Sequence, residues 1–122
     1  MTTASDAFQT ALDSFVADGQ RLIDEDFARH YPALAASGRV PKLSAEVPKG
    51  QTYIRIVKND GSQKSVWAFV VATDVATKSL RFIAGDVAKP ASWKTPAKHA
   101  RGNILASDNG LTYVSAYGPA YR

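Results

Sequence analysis

From residue 5 to residue 31 apolar side chains recur every three or four positions, and from about residue 50 they recur every second position. That change of period constrains the fold more than any other feature, because a 3.6-residue stripe suits a helix and a two-residue alternation suits a strand. The first stretch aligns Phe8, Leu12, Phe15, Val16, Leu22, Ile23, Phe27 and Tyr31 along one helical face. Ser5 suits the cap, Asp6 the positive end of the helix dipole, and Pro32 opposes continuation beyond Tyr31. Gly19, inside the stripe, costs about 1 kcal/mol relative to Ala and so marks a kink or a close packing contact. A short helical turn over residues 33–37 follows, ended by Gly38. The next segment, GRVPKLSAEVPKG over residues 38–50, is punctuated by prolines and glycines and reads as an extended connector.

Two strands are expected next. In QTYIRIVK, Ile54 and Ile56 alternate with Tyr53, Arg55 and Val57, and SVWAFVVAT is rich in β-branched and aromatic residues. Between them NDGS is a hairpin signal, since Asp60-Gly61 tolerates the positive φ of a tight turn. A second turn near residues 74–78 would return the chain as KSLRFIAG. The expected fold class is α+β: an amphipathic N-terminal helix packed on a small antiparallel β-meander, burying Phe8, Phe15, Phe27, Trp67, Phe69 and Phe82 together, with an irregular basic C-terminal segment. A single domain over residues 1–122 is expected, with a helical part at 1–37, a connector at 38–50 and a β-rich part at 51–122.

Composition narrows the function classes. Apolar residues make up 45% and charged residues 21% of the chain, the balance of a folding domain rather than a disordered one. No cysteine is present, which excludes disulfides, thiolate metal sites and cysteine catalysis. The acid-bearing start MTTASDAF is unlike a secretory leader, and no apolar run approaches membrane-spanning length, so a cytoplasmic protein without membrane contact is expected. The net charge of +4 conceals a division: residues 1–48 hold seven Asp/Glu against four Lys/Arg, whereas residues 49–122 hold four against eleven. The basic half suits an anionic partner, or a contact between halves or subunits. On the helix, Asp13, Asp18, Asp24, Glu25 and Asp26 form a solvated acidic face, since their spacing matches no metal loop. No metal or other cofactor is expected.

The basic half concentrates its charge in KPASWKTPAKHARGNIL, residues 89–105, where Lys89, Lys94, Lys98, His99 and Arg101 occur with no acid between them and Trp93 lies among them. Pro90 and Pro96 oppose a helix or a central strand, so residues 89–101 read as a basic loop. Cations around an aromatic ring can neutralise phosphates and stack on a base. Lys89, Trp93, Lys94, Lys98, His99 and Arg101 are therefore candidate nucleic-acid contacts, single strands being the favoured partner. Alternatively, Trp93 and Ile104 pin the loop to the sheet while the lysines point into water.

The segment GDVAKPASWKTPAKHARGNI, together with the final YGPAY, resembles a family of small uncharacterised bacteriophage proteins over about residues 50–122. The matching positions are Gly85, Asp86, Val87, Lys89, Pro90, Ser92, Trp93, Lys94, Pro96, Lys98, His99, Ala100, Arg101, Gly102 and Asn103. The resemblance implies a phage or prophage origin and carries no assigned chemistry. A protein partner, either a host factor or another phage component, is the alternative reading. Catalysis would need His99 beside Asp86 or Asp108 with Ser92 as nucleophile, but no spacing demands this and no catalytic motif occurs, so no enzyme is expected. At the C-terminus Tyr113, Tyr117 and Tyr121 surround a Gly-Pro break; Tyr113 and Val114 suit a last extended segment, with the tyrosines clamping the basic loop. The long helix also offers a surface for a homodimer.

Overall fold

A computed structural model describes residues 3–46, 52–77, 81–92, 96–112, 114–115 and 118–119, with the side chains of residues 3–6, 98 and 99 left out. Helix α1 runs Thr3–His30 and α2 Pro32–Ala36. Strands follow as β1 Lys42–Glu46, β2 Tyr53–Asp60, β3 Gln63–Val71, β4 Val75–Ala76, β5 Arg81–Phe82, β6 Asp86–Pro90, β7 Pro96–Asn103, β8 Val114–Ser115 and β9 Gly118–Pro119. An antiparallel five-stranded sheet has the order β1-β2-β3-β6-β7, and β4-β5 and β8-β9 form two small hairpins. The architecture is α+β.

The expected helix and the β2–β3 hairpin are present, with Gly61 at φ 63 in the turn. Three expectations are corrected. The connector over residues 38–50 contains β1: Leu43 and Ala45 alternate with Lys42, Ser44 and Glu46, and Pro41 precedes the strand instead of interrupting it. The strand returning to β3 is β6, not residues 78–85, because Asp74 and Asp86 accept the amide protons of Ala84 and Ile83 and Gly85 at φ 91 turns the chain. Among the described residues of that stretch, Arg81–Phe82 is extended and pairs with β4. Finally, residues 89–101 are no irregular loop but most of the β6–β7 hairpin. The prolines fit because Pro90 and Pro96 face each other at the hairpin end, and β7 is an edge strand on which a missing N–H costs little.

The aromatic side chains do not share one core. Ile56 pairs with Ala68 and Val57 with Val66, which leaves Trp67 as an extra residue on β3. This bulge changes the parity of the strand. Trp67 joins Ala68 and Val70 beneath the helix, against Phe15 at a ring distance of 5.9 Å and with Phe8 half-buried beside them. Phe69 and Val71 turn to the opposite face, where Tyr53 meets Phe69 at 6.3 Å and Phe82 at 6.4 Å. Phe27 is half-buried against Tyr31.

Helix α1 comes close to the sheet at Gly19, where an added Cβ would stand 2.7 Å from Cη2 of Trp67. The adjacent Gln20 side chain accepts the Leu43 amide proton (2.7 Å) and donates to the Pro41 carbonyl (2.8 Å), so it occupies the open edge of β1 as a neighbouring strand would. The loop after β7 is tied to the helix by Asn109, whose amide donates to the Ala11 and Ile104 carbonyls. Gly19→Ala tests the close approach. On an open helix this change stabilises by about 1 kcal/mol, whereas at this site overpacking against the indole reverses the sign, with an expected net loss of up to ~2 kcal/mol in chemical denaturation.

Candidate nucleic-acid interface

The β6–β7 hairpin, which carries Lys89 and Arg101, is locked at its base. Asp86 and Asn103 stand opposite each other, and the Asn103 amide donates to Asp86 Oδ1 and to the Ala84 carbonyl, each at 3.0 Å. Asn103 Oδ1 accepts the Leu105 amide proton, and the Ile104 N–H reaches the Gly85 carbonyl. A side chain at Gly85 would stand 2.7 Å from Asn103 Oδ1. The GD and GN dipeptides of the motif are thus the two sides of one clasp.

Above the clasp the ladder is irregular. Val87 pairs with Gly102 and Ala88 with Ala100, so Arg101 is an extra residue. The bulge turns it inward, and at 6% exposure Arg101 is a buried side chain and not a surface cation. Lys89 is half-buried, and its amine donates to the Pro119 carbonyl at 3.0 Å, tying the hairpin to the β8–β9 turn. Two of the six expected contacts therefore anchor the hairpin to the body. Lys98 and His99 lie on β7, but their side chains fall outside the described residues, as do Trp93 and Lys94 entirely. Tyr113, Tyr117 and Tyr121 also lie outside them. Residues 91–95 link Pro90 to Pro96, with Ala91 and Ser92 exposed.

Strand directions put Pro90, Ala91 and Ser92 at a defined end of the sheet. β6 runs antiparallel to β3, so Pro90 lies at the end where the β2–β3 turn lies, and Val66, Pro90, Ala91 and Ser92 line a shallow cleft of about 270 Å³ between the two hairpins. Lys42 of β1 and Lys64 of β3 occupy this end as well, both opposite Asn59 of β2. The sequence reading missed them because they are 22 positions apart; their common neighbour is visible only in the register. The opposite end collects Asp74, Arg81 and Asp86 around a cleft of about 480 Å³.

The carboxylates considered for catalysis have structural partners. Asp86 accepts backbone and amide protons as above. Asp108 accepts from the Thr112 hydroxyl, the Gly110 N–H and the Thr112 N–H, and these bonds, the Thr112 hydroxyl foremost, hold its carboxyl below its ordinary value of 3.8. Ser92 stands beyond the opposite end of β6 from Asp86. Among the described residues no three acids or histidines gather as a metal-ligand group, and no helix is long and apolar enough to cross a membrane.

A family model matches residues 20–118, from the Gln20 clamp through the whole sheet to the β8–β9 turn. The chain belongs to the family of unknown function DUF7717. The clasp, the bulged hairpin and the paired lysines all lie within the family match. No curated protein and no solved structure matches.

Two substitutions check this geometry. Arg101→Ala is expected to cost at least ~2 kcal/mol in denaturation because it removes a large buried side chain and leaves a cavity, whereas exposed Arg81→Gln stays within about 0.5 kcal/mol. The Asp108 carboxylate favours the folded state above the pH at which the unfolded chain ionises, and that contribution fades as pH falls through the lowered folded value. Asp108→Ala should therefore lower Tm at neutral pH, with the gap to the parent protein narrowing below about pH 4.

Proposed function

We propose that this chain is a non-enzymatic nucleic-acid-binding accessory protein that contacts single strands without strong sequence preference through the far end of the β6–β7 hairpin. One observation carries the reading: Pro90 and Pro96 stand in register, so the link of residues 91–95, which includes Trp93 and Lys94, follows directly on a hairpin held rigid at its base. Lys98 follows two residues after Pro96. A braced hairpin with cations and an indole at its end supplies phosphate neutralisation and a stacking surface with little ordering cost on binding. Arg101 and Lys89 brace it and leave the contact to Trp93, Lys94, Lys98 and His99. The resemblance of the GDV to YGPAY region to phage proteins supports the reading that it acts in the cytoplasm of an infected bacterial cell.

A second reading, a protein-interaction module, is favoured by the other end of the helical part. Tyr31 is 56% and Leu34 42% exposed, and α2 has no buried residue. Such apolar side chains suit a host or phage protein, or a second copy of the chain. Retention of a partner from a nuclease-treated lysate would favour this second reading, and loss of every partner would count against it.

Fluorescence anisotropy with a labelled oligothymidylate tests the first reading. Lys94→Gln with Lys98→Gln should reduce the slope of log K against log salt by about 1.4, the loss of two single-strand phosphate contacts. Trp93→Ala, checked by circular dichroism to be folded, should weaken binding by about 1–3 kcal/mol. Absence of binding by the parent protein at low salt would overturn the reading.

A further inference from the structure

We infer that the face of β1–β3 turned away from the helix, at the end beside the β6–β7 hairpin, is a second phosphate-contact surface for the same single strand, centred on Lys42 and Lys64, with Asn59 between them as a structural spacer. The inference rests on the nucleic-acid reading and extends it to residues on other strands.

The register sets the geometry. Lys42 and Lys64 are both partners of Asn59 on the strands flanking β2, so the three side chains form one row across the sheet. Two interstrand spacings place the lysines roughly 10 Å apart. Both are exposed, and among the described residues neither makes an ion pair. Asn59 is fixed between them, donating to the Lys42 carbonyl (3.2 Å) and to Ser44 Oγ (3.1 Å).

Charge on this face is one-sided. By strand alternation the other described charged side chains of β1–β3 on it are Glu46 and Arg55, which are paired with each other at 3.2 Å. The row therefore keeps two uncompensated positive charges. The acids of α1 lie across the sheet from it: Asp18 and Glu25 engage Arg21, and Asp26 lies beside His30.

The row is continuous with the hairpin. Val66 lies two residues along β3 from Lys64 and forms the wall of the 270 Å³ cleft whose other wall is Pro90, Ala91 and Ser92. Crossing from Lys42 to the hairpin, a ligand meets an amine, an amide, a second amine and then a shallow, mainly apolar recess. That order fits a polymer of alternating phosphates and flat apolar bases. It does not fit a lipid surface, which needs exposed apolar anchors around the charges.

Salt titration of oligothymidylate binding separates the possibilities, using the parent chain, Lys42→Gln/Lys64→Gln, Lys94→Gln/Lys98→Gln and, at the opposite end of the sheet, Arg81→Gln. Loss of the row should flatten the slope by about 1.4, so that between 50 and 200 mM salt the parent loses about seven-fold more affinity than the variant. Arg81→Gln should leave the slope unchanged. A further variant, Lys64→Glu, should weaken binding more than Lys64→Gln, and circular dichroism and Tm establish that each variant is folded. If the parent binds and the Lys42/Lys64 variant keeps its slope, the row is not a contact and the hairpin reading stands. If the row variant weakens binding and the hairpin variant does not, the hairpin reading falls and the row remains. If the parent binds no strand at low salt, both fall.

Discussion

The indole of Trp67 sits where three parts of the molecule meet, and its position depends on one extra residue. Without the bulge opposite Ile56 and Val57, alternation would set Trp67 on the same face as Phe69 and Val71, away from the helix. With it, the ring lies under α1 at the place where Gly19 removes the obstructing Cβ. On the same residue, Gly118 at φ 98 approaches so closely that a Cβ would lie 2.5 Å from the Trp67 carbonyl oxygen. Helix, sheet and C-terminal turn are registered on a single side chain and its backbone. Through Pro119 the same turn receives the Lys89 amine, so the hairpin inherits its position from Trp67 as well.

A five-stranded sheet has two open edges, and they are managed differently. At β1 the Gln20 amide satisfies Pro41 and Leu43 as a strand would, and thereby also fixes the helix across the sheet. At β7 the strand is bulged twice against β6, which disrupts the flat edge that another chain could pair with. One consequence is electrostatic. Because α1 is held against one face, its acidic side chains stay on that side, and Lys42 and Lys64 face the other. The sheet thus stands between the acids of α1 and this pair of lysines.

How much of this could be read from residues alone follows from the range of the signals. The stripe of α1 and the Asp60-Gly61 turn are local and strong, and both elements form where expected. β1 was hidden because Pro41 and Pro48 bracket a strand of only five residues, and short edge strands give few alternations to count. The bulges at Trp67 and Arg101 leave no local trace, since a bulge is a property of two strands' relative lengths and not of either sequence. From this comes the main difference at the site: Arg101 looks like a surface cation by composition, whereas the extra residue accompanies a buried side chain. The prolines at 90 and 96 read as strand breakers in the sequence, whereas opposite each other at a hairpin end they replace no ladder bond that the sheet requires.

The motif that dominates the C-terminal half therefore divides by role. Gly85, Asp86, Gly102 and Asn103 close the base; Lys89 fastens the shaft to the body, and Arg101 is buried within it. Much of this long segment thus serves to build the hairpin. The separation also explains why charge counting overstates the hairpin's capacity: two of its cations have structural surroundings before any ligand arrives. Uncompensated charge lies instead in Lys42 and Lys64, residues with no motif around them, held in line by the ladder of β1, β2 and β3.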